Sequence, residues 1–384
     1  MKIALIAFGD FDLNRARVMF SQGGIPLSAA QILSPDDDIG FKRGYETFRD
    51  TADALVISDG AEFDLKETVA EFSGYTLIEN ENARKTLEER GVKWFSGALM
   101  PEEATLIPNE HGDYQGFALD ERDFTLITLP AAADGFFPSF EKYAVPYLAA
   151  KLGVQKSAIF KCFGDADEIR AALKELKENL DFDFSLSNDN GDITVSVFFS
   201  ETDDGEVRAR SREIAFAIKD SYYADGNVSL AETLFTLLKL GGKKISVAES
   251  FTGGEIARAI ISNAGASACF YEGIVAYSED SKAKRLGVPQ DDLQEYGAVS
   301  AKVAYRMAAG LFSSGKPDVV LATTGLAGPD GDGTDKPVGL CFVAAGTKEG
   351  IHVYKFVFSG GRREITQKGV NAALFTAIKI LKNV

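Results

Sequence analysis

The pattern that most limits the fold of this chain is an alternation of short apolar runs with longer helical stretches. Residues 3–8, 54–58 and 124–129 are apolar runs of strand length, and residues 65–72 have helical character. Strands that are separated by helices usually lie side by side in a parallel sheet, with the helices on its faces. The sequence therefore predicts a front domain of the three-layer parallel α/β class, which ends near Gly153.

A smaller α+β domain is predicted from about residue 154 to residue 226. Residues 157–163 and 193–199 have strand patterns, whereas residues 166–180 place apolar side chains at helical spacing. Residues 206–222 are predicted to form a second helix. This mixture is typical of a small domain that links two larger ones.

The third predicted domain, residues 227–384, opens with a strong helix-start signal. Ser229-Leu230-Ala231-Glu232 has the spacing of a capping box, in which the serine oxygen and the glutamate carboxylate satisfy free amides. Strands and helices then alternate to the end of the chain, and the last two strands, residues 339–345 and 352–358, can pair as a hairpin. We expect a three-layer α/β domain with a mixed sheet.

Composition and charge exclude several classes of protein. The chain has 384 residues, of which 45% are hydrophobic and 26% are charged, as in an ordinary globular protein. It contains no run of about 18 apolar residues, so no membrane span is expected. Its start does not resemble a signal peptide, so we expect a cytoplasmic protein.

The charge is uneven along the chain. The net charge is −16, yet residues from Ser229 onward include 18 basic and 15 acidic side chains. An acidic front part repels the phosphate backbone of a nucleic acid, so no nucleic acid partner is expected. A mildly basic final part can still bind a small anionic ligand.

Cysteine and histidine are too sparse for several kinds of site. The three cysteines, Cys162, Cys269 and Cys341, are far apart, and the two histidines, His111 and His352, have no metal-ligand spacing. Neither a metal nor a cofactor is expected. If the protein is a hydrolase, its base is predicted to be a residue other than histidine.

The first candidate segment is Ala248-Glu249-Ser250-Phe251-Thr252-Gly253-Gly254-Glu255, in which a predicted strand passes through a glycine-rich turn into a helix. Unpaired amides at a helix start suit a phosphate or an oxyanion, and Ser250 precedes them directly. The structural alternative is a helix cap, since Thr252 and Glu255 have capping-box spacing. These residues alone leave both interpretations open.

The second segment, residues 277–287, is rich in charged side chains, and a solvated helical turn is its simplest explanation. A buried lysine can nevertheless act as a base once its pKa falls, and a serine–lysine pair needs no histidine. Lys282 is therefore a candidate base. Lys284 and Arg285 are close in sequence and can lower its pKa by repulsion if they face the same way.

The third segment, residues 323–337, carries a strand into a long glycine-rich loop. Glycine lets backbone amides approach a ligand closely, which favours a binding loop. A flexible surface loop is the structural alternative. A calcium loop is disfavoured, because the glutamate that such loops place at their twelfth position is absent.

Together these segments resemble the C-terminal domain of the CinA-type competence/damage-inducible proteins, the nicotinamide-nucleotide amidohydrolase family. The matching motifs are A-E-S-x-T-G-G at residues 248–254, Y-S-x-x-x-K-x-x-x-L-G-V at 277–288, G-A-V-S at 297–300, T-G-x-A-G-P at 324–329 and K-P-V-G at 336–339. The front of the chain resembles the other CinA domains less closely. These are a molybdopterin-binding-like domain, here residues 1–153, and a small KH-like domain, here residues 154–226.

The resemblance implies hydrolysis of the carboxamide of nicotinamide mononucleotide to nicotinate mononucleotide and ammonia, in a homodimer. It makes Ser250 the nucleophile and Lys282 the general base, which later acts as the acid for the leaving ammonia. Tyr277 would assist the proton transfers or orient Lys282. Ser267 matches a second family serine and is a rival for the catalytic role.

The resemblance also implies residues that hold the nucleotide. The amides near Thr252 to Gly254 would stabilise the oxyanion. The glycine-rich loop and one arginine would hold the phosphate and the ribose. The substrate-binding residues expected on this basis are Thr252, Gly253, Gly254, Thr324, Gly325, Gly328 and Arg362.

Some positions depart from the family pattern in the third domain. Phe251 stands where the family usually has cysteine, Glu279 where it often has asparagine, and Thr366 where it has a second arginine. The usual Gly-Asp-Arg is Gly-Gly-Arg here, with Gly361 in the middle. Fewer cations weaken phosphate binding, so the alternative is a catalytically weak or inactive protein that binds nucleotides or acts as a scaffold.

The front domain departs further from its family. Residues 57–65 lack the Gly-Pro-Thr stretch of the family's phosphate-binding segment, and residues 129–133 read L-P-A-A-A in place of L-P-G-P-P. The opening loop is shortened at residues 9–13. We therefore expect that the ADP-ribose pyrophosphatase activity of some relatives is lost and that this domain is structural.

Overall fold

A computed structural model of the chain describes residues 2–92, 96–200 and 203–382. It divides into two compact units, one of Met1–Ala158, Asn179–Ser187 and Ser196–Ser211, the other of Ile159–Glu178, Asn188–Val195 and Arg212–Val384. The residues of the predicted middle domain are shared between these units, so a separate domain there stays a prediction. The outer limits of the predicted domains, residues 1 and 384, lie outside the described residues.

The first unit contains a six-stranded sheet and a two-stranded one. Its strands are β1 (Ile3–Phe8), β2 (Leu27–Leu33), β3 (Ala54–Asp59), β4 (Leu77–Glu79), β5 (Leu99–Pro101), β6 (Thr105–Ile107), β7 (Gly116–Asp120) and β8 (Thr125–Pro130). Its helices are α1 (Leu13–Gln22), α2 (Asp38–Thr51), α3 (Leu65–Ser73), α4 (Glu81–Glu89), α5 (Phe136–Ser139) and α6 (Val145–Leu152), with a π-helical stretch at Phe140–Ala144 between the last two. The large sheet has the order β2-β1-β3-β8-β7-β6, and β4 pairs with β5.

The α/β class predicted for this unit is confirmed, but its sheet is mixed. Strands β1, β2, β3 and β8 are parallel, whereas β7 and β6 add to the sheet antiparallel. The reason is local, because only residues 121–124 separate β7 from β8 and so short a link joins antiparallel strands. Strands β1 and β8 are buried along their whole length, since apolar clusters cover both faces of the sheet.

Four further strands form a sheet of their own. They are β9 (Lys156–Phe163), β10 (Asp183–Asp189), β11 (Asp192–Phe199) and β12 (Tyr222–Asp225), in the order β10-β11-β9-β12, with helices α7 (Ala166–Lys177) and α8 (Asp204–Ala217). The helix predicted over residues 206–222 is too long, because Tyr222 begins β12. Tyr223 explains the change, since its buried ring joins the core and its Oη donates to Asp192 Oδ1 at 2.8 Å.

The second unit carries the five-stranded sheet that supports the candidate site. Its remaining strands are β13 (Ile245–Glu249), β14 (Phe270–Val275), β15 (Val319–Gly325), β16 (Leu340–Thr347) and β17 (Gly350–Val357). Its remaining helices are α9 (Leu230–Leu240), α10 (Glu255–Ile261), α11 (Glu279–Leu286), α12 (Gln290–Tyr296), α13 (Ala301–Leu311) and α14 (Arg362–Lys382). Short 3-10 turns occur at Ala266–Ala268 and Phe312–Ser314 in this unit, and at Ser96–Ala98 and Ala132–Asp134 in the first unit.

The sheet order β14-β13-β15-β16-β17 confirms the predicted mixed sheet. The first three strands are parallel, and β16 and β17 form the predicted antiparallel hairpin. The capping box at Ser229 is also present, with Glu232 bonded to the Ser229 amide at 2.8 Å. Separate apolar clusters lie on the two faces of the sheet. Each helix of the described chain falls short of the length or the apolarity needed to cross a membrane.

Candidate active site

The candidate segments meet because three parallel strands end at one edge of the sheet. Glu249, the last residue of β13, is in register with Val275, the last residue of β14. Ala248 is in register with Ala322 of β15. The carboxyl ends of neighbouring parallel strands lie together, which is where α/β proteins usually bind ligands. Residues that follow these three strands therefore share one region.

The turn after β13 is held by a carboxylate from the strand itself. Glu249 is 1% exposed, and its two oxygens accept the amides of Gly254 (3.0 Å), Ile256 (3.1 Å) and Ala257 (2.9 Å). Gly254 is the N-cap of α10 and has a φ of 101°, a backbone conformation that favours glycine. The structural alternative, a capping box of Thr252 and Glu255, does not form, because Glu249 accepts the amides of Ile256 and Ala257 in the first turn of α10.

The central feature is a contact between a buried amine and a hydroxyl. Lys282 Nζ lies 3.0 Å from Ser250 Oγ, and the two residues are 1% and 7% exposed. The amine also donates to the carbonyl oxygens of Ala276 at 2.8 Å and Tyr277 at 3.2 Å. Helix α11 carries Lys282 and begins after Ser278, whose Oγ accepts the amide of Ser281. Local helix capping and strand pairing together place the amine beside Ser250.

Burial lowers the pKa of the Lys282 amine to about 8, and the nearby Glu279 carboxylate opposes this change. An ammonium loses much of its hydration when it is buried, so the neutral form gains in relative stability. Repulsion from neighbouring cations, which the sequence allowed, is not the cause. Lys284 is exposed and pairs with Asp280 at 2.9 Å.

The arrangement of acceptors around Lys282 fits both protonation states of the amine. A protonated lysine has three N–H donors, which match two carbonyl oxygens and one hydroxyl oxygen. A neutral amine has two N–H donors and one lone pair. The two donors can stay on Ala276 and Tyr277, and the lone pair then accepts the hydrogen of Ser250. The carbonyls thus direct the basic electron pair at the hydroxyl.

Tyr277 contributes to the site through its backbone and its hydroxyl in different places. Its carbonyl oxygen accepts from Lys282, whereas its side chain is 65% exposed. Its Oη accepts a hydrogen bond from Arg362 Nη2 at 3.3 Å. Arg362, the first residue of α14, also donates from Nη1 to the carbonyl of Gly328. One arginine therefore links the tyrosine to the glycine-rich loop.

The two threonines that were expected to bind substrate are engaged within the protein. Thr252 Oγ1 lies 2.8 Å from Thr323 Oγ1, which ties the turn to β15. Thr324 is fully buried, and its Oγ1 donates to the carbonyl of Ala298 at 2.7 Å. Gly325 closes β15, where an added Cβ would lie 2.6 Å from the Cβ of Cys341. These residues shape the edge of the sheet and the start of the loop.

The amides of the turn divide into engaged and available groups. The amide of Gly253 donates to the carbonyl of Ser250 at 3.1 Å, and that of Gly254 donates to Glu249. Neither is free for an oxyanion, contrary to the expectation from the sequence. The amides of Phe251 and Thr252 donate to no acceptor within the described part of the chain.

Ser267, the rival serine, is not brought to Lys282. It lies in the exposed 3-10 turn before β14, next to the strand's first residues, where Ile245 pairs with Phe270. Ser250 follows the carboxyl end of β13, at the opposite edge of the same two parallel strands. Five strand residues at about 3.3 Å each separate the two edges by roughly 15 Å. Within one chain, Lys282 therefore contacts Ser250 and is distant from Ser267.

Phe251, which stands in place of the family's cysteine, is taken up by the core. It is buried in a small cluster with Ala327, Cys341 and Ile365. Its ring also lies against Gly369 of α14, where an added Cβ would come within 2.4 and 2.6 Å of two ring atoms. A glycine inside the helix makes room for the larger side chain.

Two groups that matter for this geometry received no role from the sequence. Glu249 stood inside a recognised motif, but a carboxylate that folds back onto the following helix leaves no spacing signal. The carbonyl of Ala276 is a backbone group, so no residue type reveals it. A buried acidic residue at the end of an apolar strand was the one available hint for Glu249.

The first unit has a separate cavity of about 330 Å³ at the carboxyl ends of its parallel strands. Its polar lining includes three carboxylates, Asp59, Asp64 and Asp134, and one amine, Lys66. Lys66 Nζ is occupied by the carbonyls of Gly97 (2.9 Å) and Leu99 (2.7 Å). Burial lowers the pKa of Lys66 to about 8 and raises the pKa of Asp59. Phosphate-facing cations are scarce in this lining.

We predict that Gly369→Ala lowers stability, although alanine usually favours a helix over glycine. The new methyl group meets the ring of Phe251, and overpacking of this kind costs roughly 1–3 kcal/mol. Urea unfolding of the wild type, Gly369→Ala, Phe251→Cys and the double variant measures it. The double variant should be more stable than the sum of the single effects predicts. Strict additivity would show that the two positions do not touch.

A family profile and two similar proteins indicate the same protein family for this chain. The sequence profile of the CinA C-terminal domain matches residues 227–381. A protein of Caldicellulosiruptor saccharolyticus, provisionally named competence-damage inducible protein, is 33% identical over 341 residues, which cover 83% of this chain and 81% of that protein. A protein of Clostridium beijerinckii with the same provisional name is 30% identical over 382 residues, with 94% and 92% coverage.

Among solved structures, the competence/damage inducible protein CihA from Agrobacterium tumefaciens matches at 37% identity and a TM-score of 0.38, over 39% of this chain and 93% of that one. The two bacterial relatives match over most of their own length as well as most of this chain. The chain therefore belongs to the family of CinA-type competence/damage-inducible proteins.

Proposed function

We propose that the second unit hydrolyses the carboxamide of nicotinamide mononucleotide to nicotinate mononucleotide and ammonia. The observation that carries this proposal is the buried Lys282 amine, 3.0 Å from Ser250 Oγ and held by two carbonyl oxygens. A basic amine aimed at a serine hydroxyl is the arrangement that activates a nucleophile for acyl transfer. The choice of substrate rests on the family resemblance.

In the first step Ser250 Oγ attacks the carboxamide carbon while its proton passes to Lys282 Nζ. The carbonyl oxygen takes the negative charge of the tetrahedral intermediate. Lys282 then returns the proton to the amide nitrogen as the carbon–nitrogen bond breaks. Ammonia leaves, and the nicotinoyl group stays on Ser250 as an ester.

In the second step water takes the place of the serine. Lys282 accepts a proton from the water as its oxygen attacks the ester carbon. The carbon–oxygen bond to Ser250 breaks, and Lys282 returns the proton to Ser250 Oγ. The acid product gives its remaining proton to the solvent and leaves as the carboxylate, and the site regains its starting protonation.

The developing oxyanion needs donors that are free before the reaction. The amides of Phe251 and Thr252 meet this requirement within the described chain, whereas those of Gly253 and Gly254 are engaged. We assign the oxyanion to the first pair. Arg362 supplies the positive charge for the substrate phosphate, next to the Gly328 carbonyl and Tyr277 Oη. In this scheme Tyr277 orients Lys282 through its carbonyl.

The competing proposal is a protein that binds nucleotides without turnover. It is favoured by Thr366, which stands where the family has a second phosphate-binding arginine. Phe251 no longer supports it strongly, since its ring packs in a cluster of its own. Ammonia release from nicotinamide mononucleotide separates the two proposals. Binding measured by calorimetry without ammonia release would favour the nucleotide-binding protein.

We predict that Ser250→Ala and Lys282→Ala each lower kcat by several orders of magnitude. The double variant should be little worse than either single one, because the two side chains act as a unit. A coupled ammonia assay measures this. Lys284→Ala is the matched lysine control on the same helix, and Ser267→Ala is the serine control. Loss of turnover in Ser267→Ala with activity retained in Ser250→Ala would exchange the roles of the serines.

We predict that kcat/KM rises with pH and levels off above a midpoint near 8. Lys282 must be neutral to accept the proton, and its pKa of about 8 leaves about a tenth of it neutral at pH 7. Raising the pH through this value increases the active fraction, and lowering it removes activity. Ammonia release between pH 6 and 9.5 tests the profile. A rate that stays constant across this range contradicts a lysine base.

For the first unit we propose a structural role, in support of a homodimer, in place of pyrophosphate cleavage. Its cavity presents three carboxylates, and its one amine already donates to two backbone carbonyls. Among the residues that the structure describes, no group of three or more His, Cys, Asp or Glu side chains is arranged so that it could hold a metal ion. An anionic pyrophosphate is repelled by such a lining.

We accordingly predict that the full chain releases no AMP from ADP-ribose above the blank when Mg²⁺, Mn²⁺ or Co²⁺ is added. Chromatography of the nucleotides measures this. The Ser250→Ala variant serves as a control, since it removes turnover in the second unit without changing the first. Metal-dependent cleavage that is abolished by Asp59→Asn would contradict the structural role.

A further inference from the structure

Glu249 is a buried carboxylate directly before the proposed nucleophile. The amides that it accepts, from Gly254, Ile256 and Ala257, are those at the start of α10. Backbone amides at a helix start carry partial positive charge, which compensates a buried anion. The carboxylate therefore occupies the place that an external phosphate or oxyanion would need. Helix α10 is consequently closed to ligands by a residue of its own chain.

The same hydrogen bonds close the chain around Ser250. The Glu249 carboxylate accepts the amide of Gly254, and this hydrogen bond closes a loop that contains residues 250–253. The amide of Gly253 bonds to the Ser250 carbonyl, and Thr252 is tied to Thr323. Ser250 thus sits in a turn with little freedom. Its Oγ stays within reach of Lys282 because the backbone of the turn is held in place.

We infer that Glu249 is a positioning residue for the reaction, an inference that rests on the proposed function of this site. Its carboxylate holds the turn so that Ser250 Oγ remains at Lys282 and the amides of Phe251 and Thr252 remain free for the oxyanion. It acts through the backbone and touches no reacting atom. The transition state depends on this arrangement more than the bound substrate does, because the oxyanion exists only during the reaction.

The test compares Glu249→Gln with Glu255→Gln. Glutamine keeps the shape of Glu249, but its NH₂ group faces backbone amides that need an acceptor. Glu255 begins the same helix and accepts none of these amides, so it is the matched control. We expect kcat to fall by roughly 100-fold in Glu249→Gln, as for loss of an oxyanion donor. KM should change little, the pH midpoint should stay near 8, and Glu255→Gln should resemble the wild type.

A second readout does not depend on the natural substrate. A fluorophosphonate reacts with an activated serine and develops negative charge on the phosphoryl oxygen, so its rate reports the nucleophile and the oxyanion donors together. Mass spectrometry follows the labelling of Ser250. We expect the rate to fall in Glu249→Gln by a factor similar to that in kcat, at temperatures where circular dichroism shows a folded protein.

The outcomes separate this inference from the proposed function. Wild-type protein that labels at Ser250 but releases no ammonia overturns the proposed substrate and leaves the role of Glu249 intact if Glu249→Gln labels slowly. Equal labelling rates in folded wild type and Glu249→Gln overturn the inference, as does a wild type that does not label. If Glu249→Gln does not fold, Glu249→Asp, which keeps the charge but shortens its reach, is read in the same way.

Discussion

A lysine amine that is held inside the protein by two carbonyl oxygens is the interaction on which the site depends. Its position follows from the sheet, because Ala276 donates its amide to the Glu249 carbonyl at 2.8 Å just beyond the register of β13 and β14. The carbonyls of Ala276 and Tyr277 are then fixed where the chain leaves the edge strand. Strand pairing thereby fixes the positions of two of the three hydrogen-bond partners of the amine. Ser250 Oγ is the third.

Two buried groups of opposite kind stand on either side of Ser250. Burial lowers the pKa of the Lys282 amine, whereas the Glu249 carboxylate accepts hydrogen bonds from three backbone amides. Burial acts on the amine by removing its hydration, whereas the carboxylate keeps backbone amides as hydrogen-bond donors. Backbone groups thus hold both side chains, one hydrogen-bonded to Ser250 and the other next to it in sequence.

Local signals allowed much of the fold to be predicted. The capping box at Ser229 and the hairpin of β16 and β17 depend on neighbouring residues, and both are present. The sequence-based prediction failed where contacts between residues distant in sequence determine the local structure. Tyr222 fits a helix by spacing, but pairing with β9 makes it a strand residue. The cap of α10 comes from Glu249, a strand residue, because Thr252 is bonded to Thr323 of another strand.

The same limit applies to the candidate site. Motif spacing brought Ser250 and Lys282 into one hypothesis, and the parallel sheet explains why two distant segments can meet. The sequence could not distinguish repulsion by Lys284 from burial as the reason for a lowered pKa, since that depends on which side of α11 faces the core. It also could not separate Ser250 from Ser267, because opposite ends of one strand pair look alike in a list of motifs.

The packing of Phe251 against Gly369 has a consequence for how such a chain changes over time. The ring fills the space that any side chain at position 369 would need. A lineage that carries both residues gains a side chain at 369 at a lower cost in stability once a smaller residue has replaced Phe251. Geometry therefore favours one order of the two replacements over the other.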